Sequence, residues 1–515
     1  MVMLAAALAA AAVVAPAPDP AARRLSRAVL EDKIRGGWAG QMIGVSYGAP
    51  TEFRFNGRTI EGPIPWQPDN VANAIGQDDL YVEMTFAQVM DEVGLEATTE
   101  QYGEMFKESK YDLWHANAGA RRALNRGIKA PWSGHPKYNA HANDIDFQIE
   151  SDFIGLMTPG LPREANKYAD RVGRVMNHGD GLYGGMFFGG MYAAAFFATD
   201  ARRVVEEGLR SIPPGSGYAR VIRDVLAWSA RHPDDWKETW RLLTEKWDRD
   251  DACPDGALEP FNIDARLNGA FVALGLLYGR GDFAATLDVA TRAGQDSDCN
   301  PSSAAGILGV MLGYDRIPDV WKAGIPRLAD TRFQFTEYSF NGIVRSTLNR
   351  AFKVIEGAGG TVTPTDVVIP LQEAQAPALE QWAVDPPTAR VGFSDPAWTW
   401  SAGWRDEKRS QRSPAPTMRV ADRGGAEATL AFRGTGVAVV GRYSQEGGRA
   451  DVYLDGRKAG EIDAYVVPRT HDNDYWHVTG LNPGAHTLRI VTRGDRDARS
   501  AGTQIAIERA VVYGN

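Results

Sequence analysis

The hydrophobic period changes once along this chain, and that change limits it to a helical domain followed by a β domain. From Leu25 to about Phe352, apolar residues recur three and four apart, as in residues 204–209, 218–230 and 235–246. That spacing is the stripe of an amphipathic helix. After Trp398 the period becomes two. Residues 428–432, 436–440, 450–454 and 486–491 read as strands, separated by Arg433-Gly434, Asp455-Gly456 and Asn482-Pro483-Gly484, each a turn signal. Between the two regimes, GAGGTVTPTD and VDPPTARVGFSDPAW gather Gly, Pro and Thr and read as a linker or strap. The predicted organisation is an all-α domain over 25–355, a strap over 356–397 and an antiparallel, jelly-roll-like β-sandwich over 398–515. A length of 515 residues agrees with more than one core.

One helical stretch sets a second constraint. GLYGGMFFGGMYAAAFFA, residues 181–198, has no charge, so a membrane span must be weighed. Asp180 and Asp200 stand close to its ends, five glycines interrupt it, and no second span of this kind occurs. A central helix buried inside a large helical domain is the better reading.

Residues 1–24 open with an almost pure Ala, Val, Leu and Met run before Ala15-Pro16-Ala17-Pro18. This is similar to the apolar core and small-residue cleavage region of a secretory signal, so export is expected, with a disordered tail as the alternative. The net charge is −9 and the basic residues are scattered. That pattern argues against nucleic acid or an anionic membrane surface as the main partner. Cys253 and Cys299 are the two cysteines. Export would permit a disulfide, but the sequence does not decide their pairing.

The chemistry concentrates in two acidic pairs. Asp78-Asp79 opens a segment in which Val82, Phe86, Val89 and Val93 keep helical spacing. Aspartates at a helix start are ordinary, since they accept from free N–H groups and oppose the dipole. Two together exceed what one cap requires. Asp296-Ser297-Asp298-Cys299-Asn300-Pro301 opens another apolar helix, 218 positions later (296 minus 78). A buried helix start would bury these carboxylates, and four carboxylates meeting in one place repel unless divalent cations lie between them. All-oxygen donors of this kind suit Mg²⁺, Mn²⁺ or Ca²⁺.

Taken in order and spacing, Gly36-Gly37-Trp38-Ala39-Gly40-Gln41-Met42-Ile43-Gly44, Asp78-Asp79 and Asp296-Ser297-Asp298 resemble the ADP-ribosylglycohydrolases. Ile149-Glu150-Ser151-Asp152-Phe153-Ile154-Gly155, ahead of Pro159-Gly160, resembles that family's middle motif. His178-Gly179-Asp180-Gly181-Leu182-Tyr183-Gly184 resembles its glycine-rich segment. The resemblance covers about residues 25–352. It implies an all-α catalytic domain with one or two divalent ions in a central cleft. Asp78, Asp79, Asp296 and Asp298 would be ligands, and the ions would hold sugar hydroxyls and the attacking water. Where the family has Thr before the first pair and after the second, this chain has Gln77 and Cys299. Gln77 can offer a carbonyl oxygen. Cys299 is a poor ligand for Mg²⁺, and Asn300 can supply an oxygen in its place.

Glu150, Asp152, Glu83 and Asp298 are the candidate acids and bases, and His178, Gly179, Asp180 and Tyr183 the candidate substrate contacts. Trp398, Trp400, Trp404, Tyr465, Tyr475 and Trp476 offer aromatic faces for sugar rings or side chains for a sandwich core. The expected protein is an exported, metal-dependent glycoside hydrolase acting on a furanoside in a glycan or glycoconjugate. An ADP-ribosyl hydrolase and a non-catalytic glycan-binding protein are the alternatives.

Overall fold

The computed structural model describes residues 22–248, 251–380, 382, 384–410, 412–466 and 474–515. The expected signal-like segment falls outside the described residues up to 21. Residues 22–24 instead belong to a strand, Ala22–Ser26, paired antiparallel with Asp366–Pro370. The helical stripes become the helices Ala201–Arg210, Gly217–Arg231 and Trp236–Trp247, and the last long helix runs over Phe340–Gly357. All these elements share one large apolar core.

Two helix pairings organise that core. The uncharged stretch is the helix Asp180–Ala195, buried along nearly its whole length. Gly184, Gly185 and Gly190 let Gln148, Phe147 and Ser211 press against its backbone, where a methyl would collide. Among the described residues, no helix is long and apolar enough to cross a membrane.

The other pairing sets Arg27–Gly48 against Cys299–Leu312. Gly36, Gly40, Gly44 and Gly48 recur every four residues down one face. A Cβ at each would overlap the backbone of Gly309, Ala305, Pro301 and Ser297 in turn. Residues four apart share a helix face, and the descending partner numbers mean that the two helices run antiparallel. The end of the first helix is therefore pinned to the start of the second, beside Asp296 and Asp298.

The strap is partly ordered β structure. Thr361–Val362 and Asp366–Pro370 form a three-stranded sheet with Ala22–Ser26. Val367 and Ile369 of this sheet enter the helical core. The C-terminal region is an antiparallel sandwich. One sheet runs Arg457–Asp463, Arg449–Leu454, Gly484–Thr492, Glu427–Gly434, Trp398–Trp400. The other is centred on Ile505–Tyr513, which pairs with Gly436–Gly441, Met418–Ala421 and Pro387–Gly392. Leu430, Phe432, Val452, Leu488 and Ile490 of the first sheet meet Val437, Val439, Ile507 and Val512 of the second.

Asp455 and Gly456 both take positive φ and join Arg449–Leu454 to Arg457–Asp463 as a tight hairpin. Arg433-Gly434 has a different role from a hairpin turn, because the strands on either side of it lie in different sheets. Trp398, Trp400 and Trp404 pack on one another and donate their indole N–H groups to the carbonyls of Val391, Phe393 and Glu427. Tyr475 is buried as well. These rings build the sandwich, the second of the two roles their sequence allows.

Candidate metal centre and active site

The two acidic pairs meet. The helix Asp78–Glu92 begins at Asp78 after an N-cap, Gln77, that makes no side-chain capping bond. Asp298 is the N-cap of Cys299–Leu312 and also makes no capping bond. Capping therefore does not occupy the Asp298 carboxylate, and one of its oxygens is buried without a hydrogen-bond partner. Asp79 is 1% exposed, and neither of its oxygens has a partner of normal hydrogen-bond geometry, although Cys299 and Ser302 stand beside it.

The proximity shows in the electrostatics. Burial pushes the Asp298 carboxyl up to about 7, with Asp79 and Asp78 adding to the rise. Asp79 is pushed well above the usual carboxylate range by burial, then by Asp78 and Asp152. Asp296 is driven up by burial, then by Asp298, Glu52 and Asp79. The ligand atoms of Asp296, Asp298 and Cys299 lie within 4.8 Å of one another.

The middle motif lies beneath. Glu83 accepts from the Phe153 N–H at 2.8 Å and Asp152 from the Ser303 hydroxyl at 3.1 Å. Each keeps a second, unpartnered oxygen. Burial raises Asp152 to about 8. Glu150 accepts from the Asn117 amide, and its other oxygen is unpartnered. Burial, then Asp146, Asp78 and Asp79, push Glu150 up.

Among the described residues, none of these carboxylates pairs with a lysine or arginine. Carboxylates so placed, with orphan oxygens and only each other for charged company, fit a hard divalent cation. Asp78, Asp79, Asp296 and Asp298 are the residues able to hold it. Asn300 is buried, donates to Asn268 at 3.0 Å and leaves its carbonyl oxygen unpartnered, so an amide oxygen is available beside the aspartates.

Other expected residues sit elsewhere. The Gln77 amide donates to Asn73 at 2.7 Å, and no contact ties it to the aspartates. His178 pairs with Glu380 at 3.2 Å. The Tyr183 hydroxyl accepts from the Glu380 N–H at 2.6 Å, and Asp180 accepts from the Tyr218 N–H at 3.0 Å. Gly179 and Asp180 line a cavity of about 320 Å³ that the strap residues Leu379 and Glu380 also wall. The Asp180 carboxyl, raised by burial, feels Arg266, Asp264 and Arg220 rather than the acidic cluster. These four residues thus serve the strap and its own pocket. Among the described residues, no hydrogen bond or ion pair joins them to the metal-type cluster.

Glu52 escaped the sequence reading. It lies four residues beyond Gly48, the last glycine of the stripe, and its side chain is at the exposed edge of the site. Burial of its carboxyl, then Asp298 and Asp78, push it up to about 8, which Arg54 partly offsets. No sequence signal marks it, because the pinning of the helix end at Gly48 to Ser297, which brings Glu52 near Asp298, is set by packing. Cys253 and Cys299 are both free thiols in one small buried cluster with Ile145, Ile149 and Ile263.

The chain is 34% identical over 114 residues to an A type blood alpha-D-galactosamine galactosaminidase of Flavonifractor plautii, covering 22% of this chain and 10% of that protein. It is 30% identical over 139 residues to an A type blood N-acetyl-alpha-D-galactosamine deacetylase of the same organism, covering 27% and 17%. The chain thus spans under a fifth of the length of either relative. A solved structure titled ADP-ribosylglycohydrolase-related protein complex superposes on 64% of this chain and 99% of its own, at TM-score 0.42 and 13% identity. The profile described as ADP-ribosylglycohydrolase matches residues 26–350, more than half the chain and the whole acidic site. On that match, this chain belongs to the ADP-ribosylglycohydrolase family.

Proposed function

We propose that this chain is an exported hydrolase that cleaves the glycosidic bond of a furanoside in a glycan or glycoconjugate, with a divalent cation held by Asp78, Asp79, Asp296 and Asp298. The observation that carries this reading is the convergence of two helix starts whose buried carboxylates have no cationic side chain between them. The family match supports hydrolysis, and the names of the two relatives, each an enzyme acting on a blood-group sugar, support a carbohydrate substrate.

When bound, Mg²⁺, Mn²⁺ or Ca²⁺ supplies Lewis acidity and the positive charge that lets these carboxylates ionise together. The chain's own residues do the rest. Glu52 stands at the exposed edge of the cluster and can reach a substrate. Glu52 would be the group placed to hand a proton to the leaving-group oxygen. Glu150, with one oxygen fixed by Asn117, keeps the other free to orient water against the anomeric carbon. Glu83 and Asp152 are fully buried and hold backbone and hydroxyl donors. They position the layer beneath the site. A cis-diol such as ribose offers suits chelation by such a site.

The test is release of p-nitrophenol from a panel of furanosides and pyranosides, with an ADP-ribosylated peptide in parallel, before and after EDTA. Hydrolysis of a furanoside that EDTA abolishes and Mg²⁺, Mn²⁺ or Ca²⁺ restores is expected. Release that EDTA leaves unchanged, or cleavage of the ADP-ribosylated peptide alone, overturns the reading.

A further inference from the structure

A second cluster of ligand-type side chains lies outside the acidic site and is not explained by it. His115 opens the helix His115–Asn125. His141 and Asp144 sit three residues apart ahead of the short helix Asp146–Ile149. Cys253 lies in a loop whose Asp251 carboxylate accepts from the Cys253 N–H at 2.8 Å. One ligand atom from each of the four falls within 4.8 Å of all the others. His141 Nδ1 is 2.8 Å from Asp144 Oδ2 and 3.2 Å from Cys253 Sγ. His115 Nδ1 is 3.7 Å from the same Asp144 oxygen.

We infer that His115, His141, Asp144 and Cys253 form a zinc site within the helical domain, braced against the β-sandwich through the contact of His141 with Asp474. A single imidazole nitrogen carries one proton or one lone pair, yet a carboxylate oxygen and a sulfur both converge on His141 Nδ1. A cation among the four donors satisfies all of them at once. Four ligands at zinc–nitrogen, zinc–oxygen and zinc–sulfur lengths stand about 3.3–3.8 Å apart in a tetrahedron; of the three distances here, 3.7 Å falls in that range and 2.8 and 3.2 Å lie below it, so the donors move apart by about 0.1–1 Å to admit the ion. Two imidazoles, a thiolate and one carboxylate select zinc over Mg²⁺ or Ca²⁺, unlike the oxygen donors of the acidic site.

The surroundings match the same role. His141 Nε2 faces Asp474 of the sandwich at 3.2 Å. A carboxylate there fixes the imidazole orientation and leaves Nδ1 for the metal. Asp474 also pairs with Arg122 of the helical domain. Nearby, the Tyr513 hydroxyl donates to the Ala252 carbonyl at 2.9 Å and Arg509 to Asp255 at 2.9 Å. Ala252, Ala257, Ala438, Val511 and Tyr513 form an apolar seam between the domains. Four protein ligands leave no open position, and that closure marks a structural site rather than a catalytic one. Cys253 shares its small apolar cluster with Cys299, so this brace would set the sandwich beside the acidic site. The inference does not depend on the hydrolase reading.

The full chain, expressed with zinc in the medium and purified without chelator, is measured by elemental analysis. It is then stripped and titrated with Co²⁺. One zinc per chain and a thiolate-to-cobalt charge-transfer band are expected. The band should disappear in Cys253→Ser and persist in Cys299→Ser and Asp78→Asn. Asp474→Asn should weaken zinc binding by about 10–100-fold. Should Cys253→Ser misfold, protection of Cys253 from a thiol reagent by zinc, mapped by peptide mass in the unaltered chain, decides the matter. Zinc well below one per chain with no charge-transfer band, a band lost with Cys299→Ser instead, or a Cys253 that zinc leaves fully reactive overturns the inference.

Discussion

Asp152→Asn should stabilise the ion-free protein while removing activity. Asp152 is fully buried, with one oxygen on the Ser303 hydroxyl and the other without a partner. Burial raises its carboxyl from an ordinary 3.8 to about 8. The sign follows from proton binding. Between these two values the folded chain holds a proton that the unfolded chain releases, so stability is full below pH 4 and falls as pH rises toward 8. At pH 7, taking 1.36 kcal/mol per unit above 3.8, the loss amounts to about 4 kcal/mol. Asparagine keeps the acceptor for Ser303 and has no proton to lose. Relaxation and the new amide's own burial reduce the net gain to about 2 kcal/mol.

The assay is urea unfolding in EDTA at pH 4.5, 6 and 7.5, with saturating Mn²⁺ as a parallel series. In EDTA the variant should be about 1 kcal/mol less stable than the parent at pH 4.5, where only about 1 kcal/mol of the loss has accrued, and should overtake it as pH rises. With Mn²⁺ the order should reverse, because an ion bound at 100 times its Kd adds about 2.7 kcal/mol to the parent and the variant binds it less well. A variant that is less stable than the parent in EDTA at pH 7.5 would refute the claim that burial holds this carboxyl protonated in the fold.

Three further outcomes follow from particular contacts. Glu52→Gln should lower kcat by about 10²–10⁴ with an unchanged melting temperature, and a kcat within about twofold of the parent would remove Glu52 from the chemistry. Gly44→Ala places a methyl against the Pro301 carbonyl; overpacking of about 1–3 kcal/mol exceeds the roughly 1 kcal/mol gained in helix propensity, so net destabilisation and weaker Mn²⁺ binding by calorimetry are expected, and equal Mn²⁺ affinity would break the link from stripe to site. Asp91→Asn should cost about 2 kcal/mol at pH 7 in urea unfolding, below the usual loss for a buried pair because Arg350 also donates to Ser346 and Thr347. Partial burial raises Asp91, but Arg350, Ser346 and Tyr338 hold it below the ordinary range; its contribution is present above about pH 4 and lost as pH falls through the lowered value, so a parent and variant that lose stability in parallel below pH 4 would contradict it.

The features that could be read from the sequence were local ones. The change of period placed helices and strands because side-chain spacing is set by backbone geometry within a few residues. The pairs Asp78-Asp79 and Asp296-Asp298 stood out because each opens an apolar helix, and burial of an acidic helix start is a local inference. The pairing of Ala22–Ser26 with Asp366–Pro370 was not legible. It joins short segments from opposite ends of the helical domain, and neither predicts the other. The tryptophans of the sandwich left two readings open for a related reason. A ring that stacks on a sugar and a ring that fills a core have the same composition and spacing, and only the indole N–H partners tell them apart.

Glu52 and the His115–Cys253 cluster mark the sharper limit, because in both the chemistry is assembled by packing. A single carboxylate in a loop has no signature. It becomes part of the site because Gly36, Gly40, Gly44 and Gly48 bring two helix backbones into contact, which fixes where the chain after Gly48 emerges. The glycine stripe and the acidic pairs are therefore one device read in two places. The stripe sets the distance between helix ends, and the carboxylates exploit that distance. Lengthening the loop after Gly48 by one residue should accordingly cost activity without cost to the fold, since it alters the position of Glu52 and leaves the helix contact intact. An insertion there that unfolds the protein, or that leaves turnover untouched, would separate the two halves of that device.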